Sequence, residues 1–407
     1  MEVTVEIDNK VKDISINIYY FKDKYIIELL FPSKEVYLKF LNEGKIKQEY
    51  FVNIENNGFI YLKNNIKTFK ELLYSTKISY VIRDFTDLNK ISEKENIILD
   101  ISNLSWSDKL LIINSITNNN IYFKDEYTLD EVLSLDDILC MYNIISGIAN
   151  TLIDKSPLEQ VYSIYNLLKE RPYDIGNEDN IYESRSLNHI LYTNPIVCSG
   201  FVNYSKAITD ALGINSEKVS WQHKDEGHVS SIYFINDSKH NIIGIFALDI
   251  TADSQKFNRI KHYLYPMDIA INEMTHFGFK YNNTDNIYFS LLGSYQRLQT
   301  FRKHFNEESE IIIREKELLA KKINKIYKLL NINKQIDINS NIDKEIEEIK
   351  KFARTIILPL SLKNIINSEI ELDNETCLEL IKTSFHYQAL PSEDKLLTDV
   401  ILSSKGR

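Results

Sequence analysis

The stretch Asn194-Pro195-Ile196-Val197-Cys198-Ser199-Gly200-Phe201 opens on a pair that favours a turn. It then runs into apolar residues spaced by threes and fours: Phe201, Tyr204, Ile208 and Leu212. That spacing predicts the buried face of a helix, and Gly213 stands where a helix-ending glycine belongs. Cys198 therefore falls at or just before a helix N-terminus. Unpaired backbone N–H groups and the positive end of the helix dipole favour a thiolate there. The same groups suit an oxyanion formed when sulfur attacks a carbonyl.

Downstream, His228 to Ile235 and Ile242 to Asp249 are β-rich runs separated by the turn-forming residues Asn236 to Asn241. If Ile235 faces Ile242, the antiparallel register places Phe234 opposite Ile243, Ile232 opposite Ile245, Ser230 opposite Ala247 and His228 opposite Asp249. Directly opposed residues share a face with Cβ atoms about 5 Å apart. Asp249 can then accept from one nitrogen of His228 and leave the other for a thiol. A thiol becomes an effective nucleophile when a base takes its proton and a third group orients that base. Cys198, His228 and Asp249 are accordingly the candidate catalytic residues. Asp253 is the rival to Asp249 but falls in the expected turn Ala252-Asp253-Ser254-Gln255. His223 is a second-choice base.

The ordered set extends upstream. Pro157 to Leu168 predicts an amphipathic helix, and Arg171-Pro172-Tyr173-Asp174 follows it. Together with Val197-Cys198-Ser199-Gly200-Phe201, Ala211-Leu212-Gly213-Ile214, His228 and Leu248-Asp249-Ile250-Thr251, this arrangement resembles the transglutaminase-like superfamily. The resemblance spans roughly residues 155 to 255, about a quarter of the chain. It implies a Cys-His-Asp triad on a papain-related core, with Cys198, His228 and Asp249 in those roles. The chain departs from the pattern at Ile196, Val229-Ser230 and Ile250, where family members commonly carry glycine, an Ala-Trp pair and proline.

The remaining candidates read as structural. His223 and His228, with Asp225 and Glu226 between them, lack further Cys or His ligands at metal-site spacing, so this segment reads as a solvated loop. Neither metal nor cofactor is expected. Cys140 and Cys377 read as structural thiols, and Trp221 as packing or cleft wall. His189, His262 and His276 read as ordinary surface or packing residues.

Composition sets the frame. A chain of 407 residues with 43% hydrophobic content can bury a sizeable core and suggests two or three domains. A net charge of -10 argues against nucleic-acid or anionic-membrane partners. Met1 to Glu6 lack the basic and apolar run of a secretory signal, and no apolar run reaches spanning length. Three dispersed cysteines do not form a disulfide framework, so a reducing cytoplasmic setting is expected.

The N-terminal part alternates like strands at Ile14–Tyr20, Tyr25–Leu30, Tyr50–Ile54, Phe59–Leu62, Ile78–Ile82 and Asn96–Ile101. Helices are expected near Phe69–Tyr74 and Ser107–Ile116. Tyr61–Leu73 and Tyr122–Leu133 both suggest a strand end running into a short helix, hinting at an internal duplication. Phe301 to Leu330 predicts one long amphipathic helix, Asn331 to Asn341 a polar linker, and Ile342 to Phe352 a further charged helix. The expected fold is α+β: a mixed α/β accessory domain over residues 1–135, a papain-like transglutaminase core over 136–285 with its nucleophile helix packed on an antiparallel sheet, and a mainly helical region over 286–407.

The function expected is that of a cysteine enzyme acting on a peptide or protein amide through an acyl-thioester, protease-like hydrolysis being favoured because no calcium-loop pattern such as Asp-x-Asp-x-Asp-Gly occurs. Protein-glutamine amine transfer is the alternative chemistry. A non-catalytic protein-binding module is the alternative class, and either flanking region is a candidate surface for a protein partner.

Overall fold

The computed structural model describes residues 98–403 except 103, 117–120, 130, 175–182, 193–194, 225, 257 and 282–285. For residues 2–7, 10–21, 24–30, 45–46, 78–82, 96–97 and 226 it describes the backbone alone. The chain packs as two units, one comprising Met1–Ile144 with Asp174–Thr193, the other Ile145–Tyr173 with Asn194–Arg407.

In the first unit, β1 (Glu2–Ile7), β2 (Lys10–Phe21), β3 (Lys24–Leu30) and β4 (Lys45–Ile46) form an antiparallel sheet in the order β3-β2-β1-β4. A second sheet runs β5 (Ile78–Ile82), β6 (Asn96–Asp100), β7 (Ile121–Lys124), β8 (Val132–Leu133). The first three of these are parallel, so β6 and β7 need a crossover, which helix α1 (Trp106–Ser115) supplies. Ser105 caps α1 by accepting from the Asp108 N–H. The buried Lys109 donates to Asp125, whose other oxygen accepts from the Tyr142 hydroxyl. Tyr142 lies on α2 (Leu135–Leu152), the helix in which the unit boundary falls. The expected segments 50–54, 59–62 and 69–74, and the 61–73 half of the suggested duplication, lie outside the described residues. Its other half, Tyr122–Leu133, runs from β7 into a short 3-10 helix (Glu126–Thr128) and then into β8.

The second unit is built on a five-stranded antiparallel sheet, β12-β11-β10-β9-β13. Its strands are β9 (Ser216–His223), β10 (Glu226–Asp237), β11 (Ile242–Leu248), β12 (Tyr265–Pro266) and β13 (Lys280–Tyr281). β10 carries the uninterrupted apolar run Ile232-Tyr233-Phe234-Ile235, all four buried, because both faces of this strand are covered. On one face α3 (Pro157–Lys169) and α4 (Cys198–Ala211) pack against β10. On the other, Val219, Trp221, Ile232, Phe234, Ile245 and Ala247 join the core formed by the later helices.

Those helices are α6 (Met267–His276), α7 (Ile287–Phe301), α8 (Glu310–Leu329) and α9 (Ile342–Ala353); the short α5 (Ile250–Asp253) precedes them. After them come α10 (Pro359–Asn367), α11 (Asn374–Lys382), the short helix Phe385–Gln388 and the helix Ser392–Ser403. The molecule is thus α+β with a helical C-terminal region. The helix expected over 301–330 is shorter, running Glu310–Leu329, because the chain turns between Phe301, where α7 ends, and Ser309, which sits at the α8 N-cap. This lets α7 and α8 pack on each other. The expected linker is no free tether either: Ile336 is buried, and its backbone N–H and C=O both bond to the Asn324 amide on α8.

The β10–β11 hairpin departs from the expected register. Asp237, not Ile235, pairs with Ile242, and the ladder runs to Ser231 opposite Leu248. Tertiary bonds draw two turn-forming residues into the strand. The Asn236 amide donates to the Leu330 carbonyl, and the Asp237 carboxylate accepts from the backbone N–H groups of Leu158 and His240. The turn shrinks to Ser238–Asn241, with Asn241 in the left-handed region at φ 52°. The slip is two residues, so the alternation of faces survives.

Candidate active site

Helix α4 begins at Cys198, with Val197 extended at the N-cap and Phe201 N–H the first to bond back, to the Val197 carbonyl. Pro172 and Ile196 bond through their backbones, and Tyr173 bridges to Ile196, which fixes the strand-like approach to the helix. At the other end Gly213 adopts φ 72° while Ile214 N–H reaches the Thr209 carbonyl. Val202, Ala207 and Ile208 bury the helix against the sheet, so the thiol is held by a rigid element at the positive end of its dipole.

β11 stops pairing after Leu248, and Asp249 turns into the N-cap of α5, accepting from the Ala252 N–H at 3.1 Å. From there its other oxygen bonds His228 Nε2 at 2.7 Å. With Nε2 taken by the carboxylate, Nδ1 is the nitrogen left over, and the ring acts on the Cys198 sulfur, each favouring the other's charged form. The expected opposition of His228 and Asp249 is therefore replaced by a diagonal approach beyond the end of the ladder, and the contact is made by the bend into α5. The early end of pairing also leaves this part of β10 without β11 partners, and the Val229 and Ser199 N–H groups act on the sulfur to favour its charged form.

The electrostatics follow from these bonds. Burial raises the pKa of Cys198, but the His228 hydrogen bond and charge, with the Val229 and Ser199 N–H groups, outweigh it and hold the thiol below its ordinary value. Burial opposes charge on His228 too, yet the Asp249 carboxylate beside it and the bond to sulfur raise it to about 10. Burial likewise works against ionised Asp249; the His228 charge and hydrogen bond, the His262 charge and the Ala252 N–H prevail, so its pKa lies below the usual carboxylate value. The arrangement favours a thiolate–imidazolium pair backed by a carboxylate.

The other candidates lie elsewhere. His223 ends β9 with its ring against Phe279, Lys224 beside it is exposed, and Glu226 to His228 belong to β10. Asp253 does not reach His228: it accepts from the Tyr165 hydroxyl at 2.8 Å and from the backbone and ring of His262. Trp221 is core, its indole N–H donating to Ser230 Oγ at 2.8 Å. Cys140 is exposed beside the Tyr192 hydroxyl, and Cys377 is buried, its thiol pushed up by desolvation. His189 bonds Glu131. Among the described residues no group of three His, Cys, Asp or Glu side chains is placed to hold a metal ion, and no helix is long and apolar enough to cross a membrane. A small pocket beside the site is lined by Asp249, Thr251, Phe201 and Val229, but not by Cys198 or His228.

The residue that sequence reasoning missed is His262. It is buried against Asp253 and Glu273, and its backbone carbonyl accepts from the Asp249 N–H at 3.2 Å. The available signal was the spacing of Asp249 and Asp253, which puts two acids at the two ends of one helical turn. No family model matches the chain, and no curated protein matches it.

Proposed function

We propose that this chain is a cysteine enzyme of transglutaminase-like type that acts on a peptide or protein amide through an acyl-thioester, with hydrolysis as the favoured outcome. The observation that carries the reading is the Cys198 thiol at a helix start, its pKa lowered by a His228 ring that Asp249 holds through a hydrogen bond. In this mechanism the Cys198 thiolate adds to the amide carbonyl carbon, and first-turn N–H groups with no acceptor inside the helix receive the oxyanion. The His228 imidazolium gives its proton to the leaving amine as the C–N bond breaks, leaving the thioester and a neutral ring. That ring then takes a proton from water, whose oxygen attacks the thioester; the acid leaves and the thiol is restored. Asp249 holds the ring and offsets its charge throughout.

The expected setting is the cytoplasm, the expected core papain-like, and no cofactor enters the scheme. The test is incubation of candidate peptides and proteins with the protein and its Cys198→Ala variant, with and without a primary amine, followed by mass spectrometry. Cysteine-dependent backbone cleavage or deamidation supports hydrolysis. Amine incorporation would replace it with transfer, and no Cys198-dependent change would leave a protein-binding module.

A further inference from the structure

We propose that His262 is a positioning residue for the candidate triad, a fixed imidazolium held between Asp253 and Glu273 that keeps the Asp249 carboxylate ionised and directed at His228. The inference rests on the reading of Cys198 as the nucleophile.

His262 Nδ1 lies 2.9 Å from Asp253 Oδ1 and Nε2 lies 3.3 Å from Glu273 Oε2. A neutral imidazole has one donor and one lone pair, so one carboxylate would face that lone pair; the imidazolium donates to both. Edge contacts from Tyr265 and Phe385, at 5.4 and 5.5 Å, enclose the ring, and both carboxylates are fixed from further elements. Tyr165 and Arg259 bond Asp253, while Lys261 bonds Glu273. Lys169 acts on Asp253 through its charge. Desolvation lowers the His262 pKa, yet the Asp253 and Glu273 bonds carry it above the ordinary histidine value.

The link to the site is equally direct. Asp249 caps the start of α5, Asp253 closes it, and His262 clasps both ends: its carbonyl accepts from the Asp249 N–H, and its own N–H donates to Asp253 at 2.7 Å. The backbone of Asp249 is thereby fixed by the same residue whose charge favours its ionised form. Two His–Asp pairs share one helical turn, His228 with Asp249 and His262 with Asp253.

Removing a positive charge raises the pKa of every group that feels it. The test is the rate of Cys198 alkylation by iodoacetamide from pH 4 to 10 in the full chain and in His262→Gln, read by mass spectrometry of the Cys198 peptide, with thermal unfolding followed in parallel. The expected result is that both limbs of the profile move upward by roughly half a pH unit or more. A folded variant with unmoved limbs overturns the proposal, since a purely structural role changes amplitude alone. Nitrogen-detected NMR of histidine-labelled wild-type protein gives an answer independent of the variant's folding: an imidazolium at His262 near pH 7.5 supports the assignment, and a neutral ring there overturns it. Should wild-type Cys198 alkylate no faster than an ordinary thiol, the active-site reading fails, which is a different result from unmoved limbs.

Discussion

At Cys198, burial and hydrogen bonding pull in opposite directions, and the balance is set one neighbour away, at His228, by Asp249. Asp249→Asn keeps the shape but removes the charge that chiefly raises His228. Each pKa unit is a factor of ten in the ion pair, so alkylation of Cys198 at neutral pH should fall roughly 10- to 100-fold; an unchanged rate would mean that the carboxylate does not act through the ring. Stability carries the same signature. His228 is raised from 6.5 to about 10 in the folded chain, so the native state keeps a proton that the unfolded chain releases. That contribution is complete below about pH 6.5 and fades as pH climbs toward 10. Asp249 is lowered, so its contribution is present above its ordinary 3.8 and is lost as pH falls. Cys198 runs the other way, because its lowered pKa has the native thiol give up a proton that the unfolded chain keeps to about pH 9, so the test belongs in a Cys198→Ala background. There, urea unfolding at pH 6, 8 and 9.5 should show a shallower alkaline decline once His228→Gln is added, and parallel declines would refute the assignment. Cys198, His228 and Asp249 were legible because each sits at the end of a periodic segment. His262 was not, because its partners come from α5 and α6 and no local pattern brings them together.

At the level of elements, helix α4 was readable from its own residues, since its apolar spacing and Gly213 at its end are local. The hairpin register was not, because it is decided by bonds from Asn236 and Asp237 to Leu330 and Leu158, both remote in sequence. Parity protected the prediction: a slip of two leaves the same side chains on the same face, where a slip of one would have separated His228 from Asp249. Gly244 on β11 marks how closely this sheet is overlain. A Cβ there would lie 2.6 Å from the Phe246 ring and 2.9 Å from Thr355 Cβ, and Thr355 Oγ1 donates to the Ile243 carbonyl just beside it. Gly244→Ala should therefore cost about 1–3 kcal/mol, read as a fall in the urea midpoint. Gly213→Ala meets no neighbour within 4 Å but forces a side chain onto φ 72°, and should cost about 1 kcal/mol. Equal stability for Gly244→Ala and wild type would mean that the strand is not packed as closely as described.

On the scale of the whole molecule, the sheet of the second unit is shared between two bodies of helix, one presenting the thiol and the other filling the opposite face. The sequence pattern foretold helices after residue 286 but not their use, because amphipathic spacing says that a face is buried and not against what. The run Ile232 to Ile235 was the one hint, being apolar on both sides of a strand. Ile323 and Ile346 are fully buried in the shared core. Ile323→Ala should cost about 2–5 kcal/mol, measured by thermal or urea unfolding, while the folded fraction keeps the Cys198 alkylation profile. A loss of thiol reactivity without loss of stability would instead tie α8 to the chemistry. The end of strand pairing at Ser231 and Leu248 also sets an order of assembly. The hairpin is a local structure that closes over a four-residue turn, whereas docking of α4 onto it spans a longer loop and carries the larger closure entropy. During refolding the imidazole and carboxylate should meet first and the sulfur last. The nascent chain would thus carry an ordinary thiol until its scaffold is complete, and pulsed alkylation should find fast Cys198 labelling only after the hairpin amides are protected from exchange.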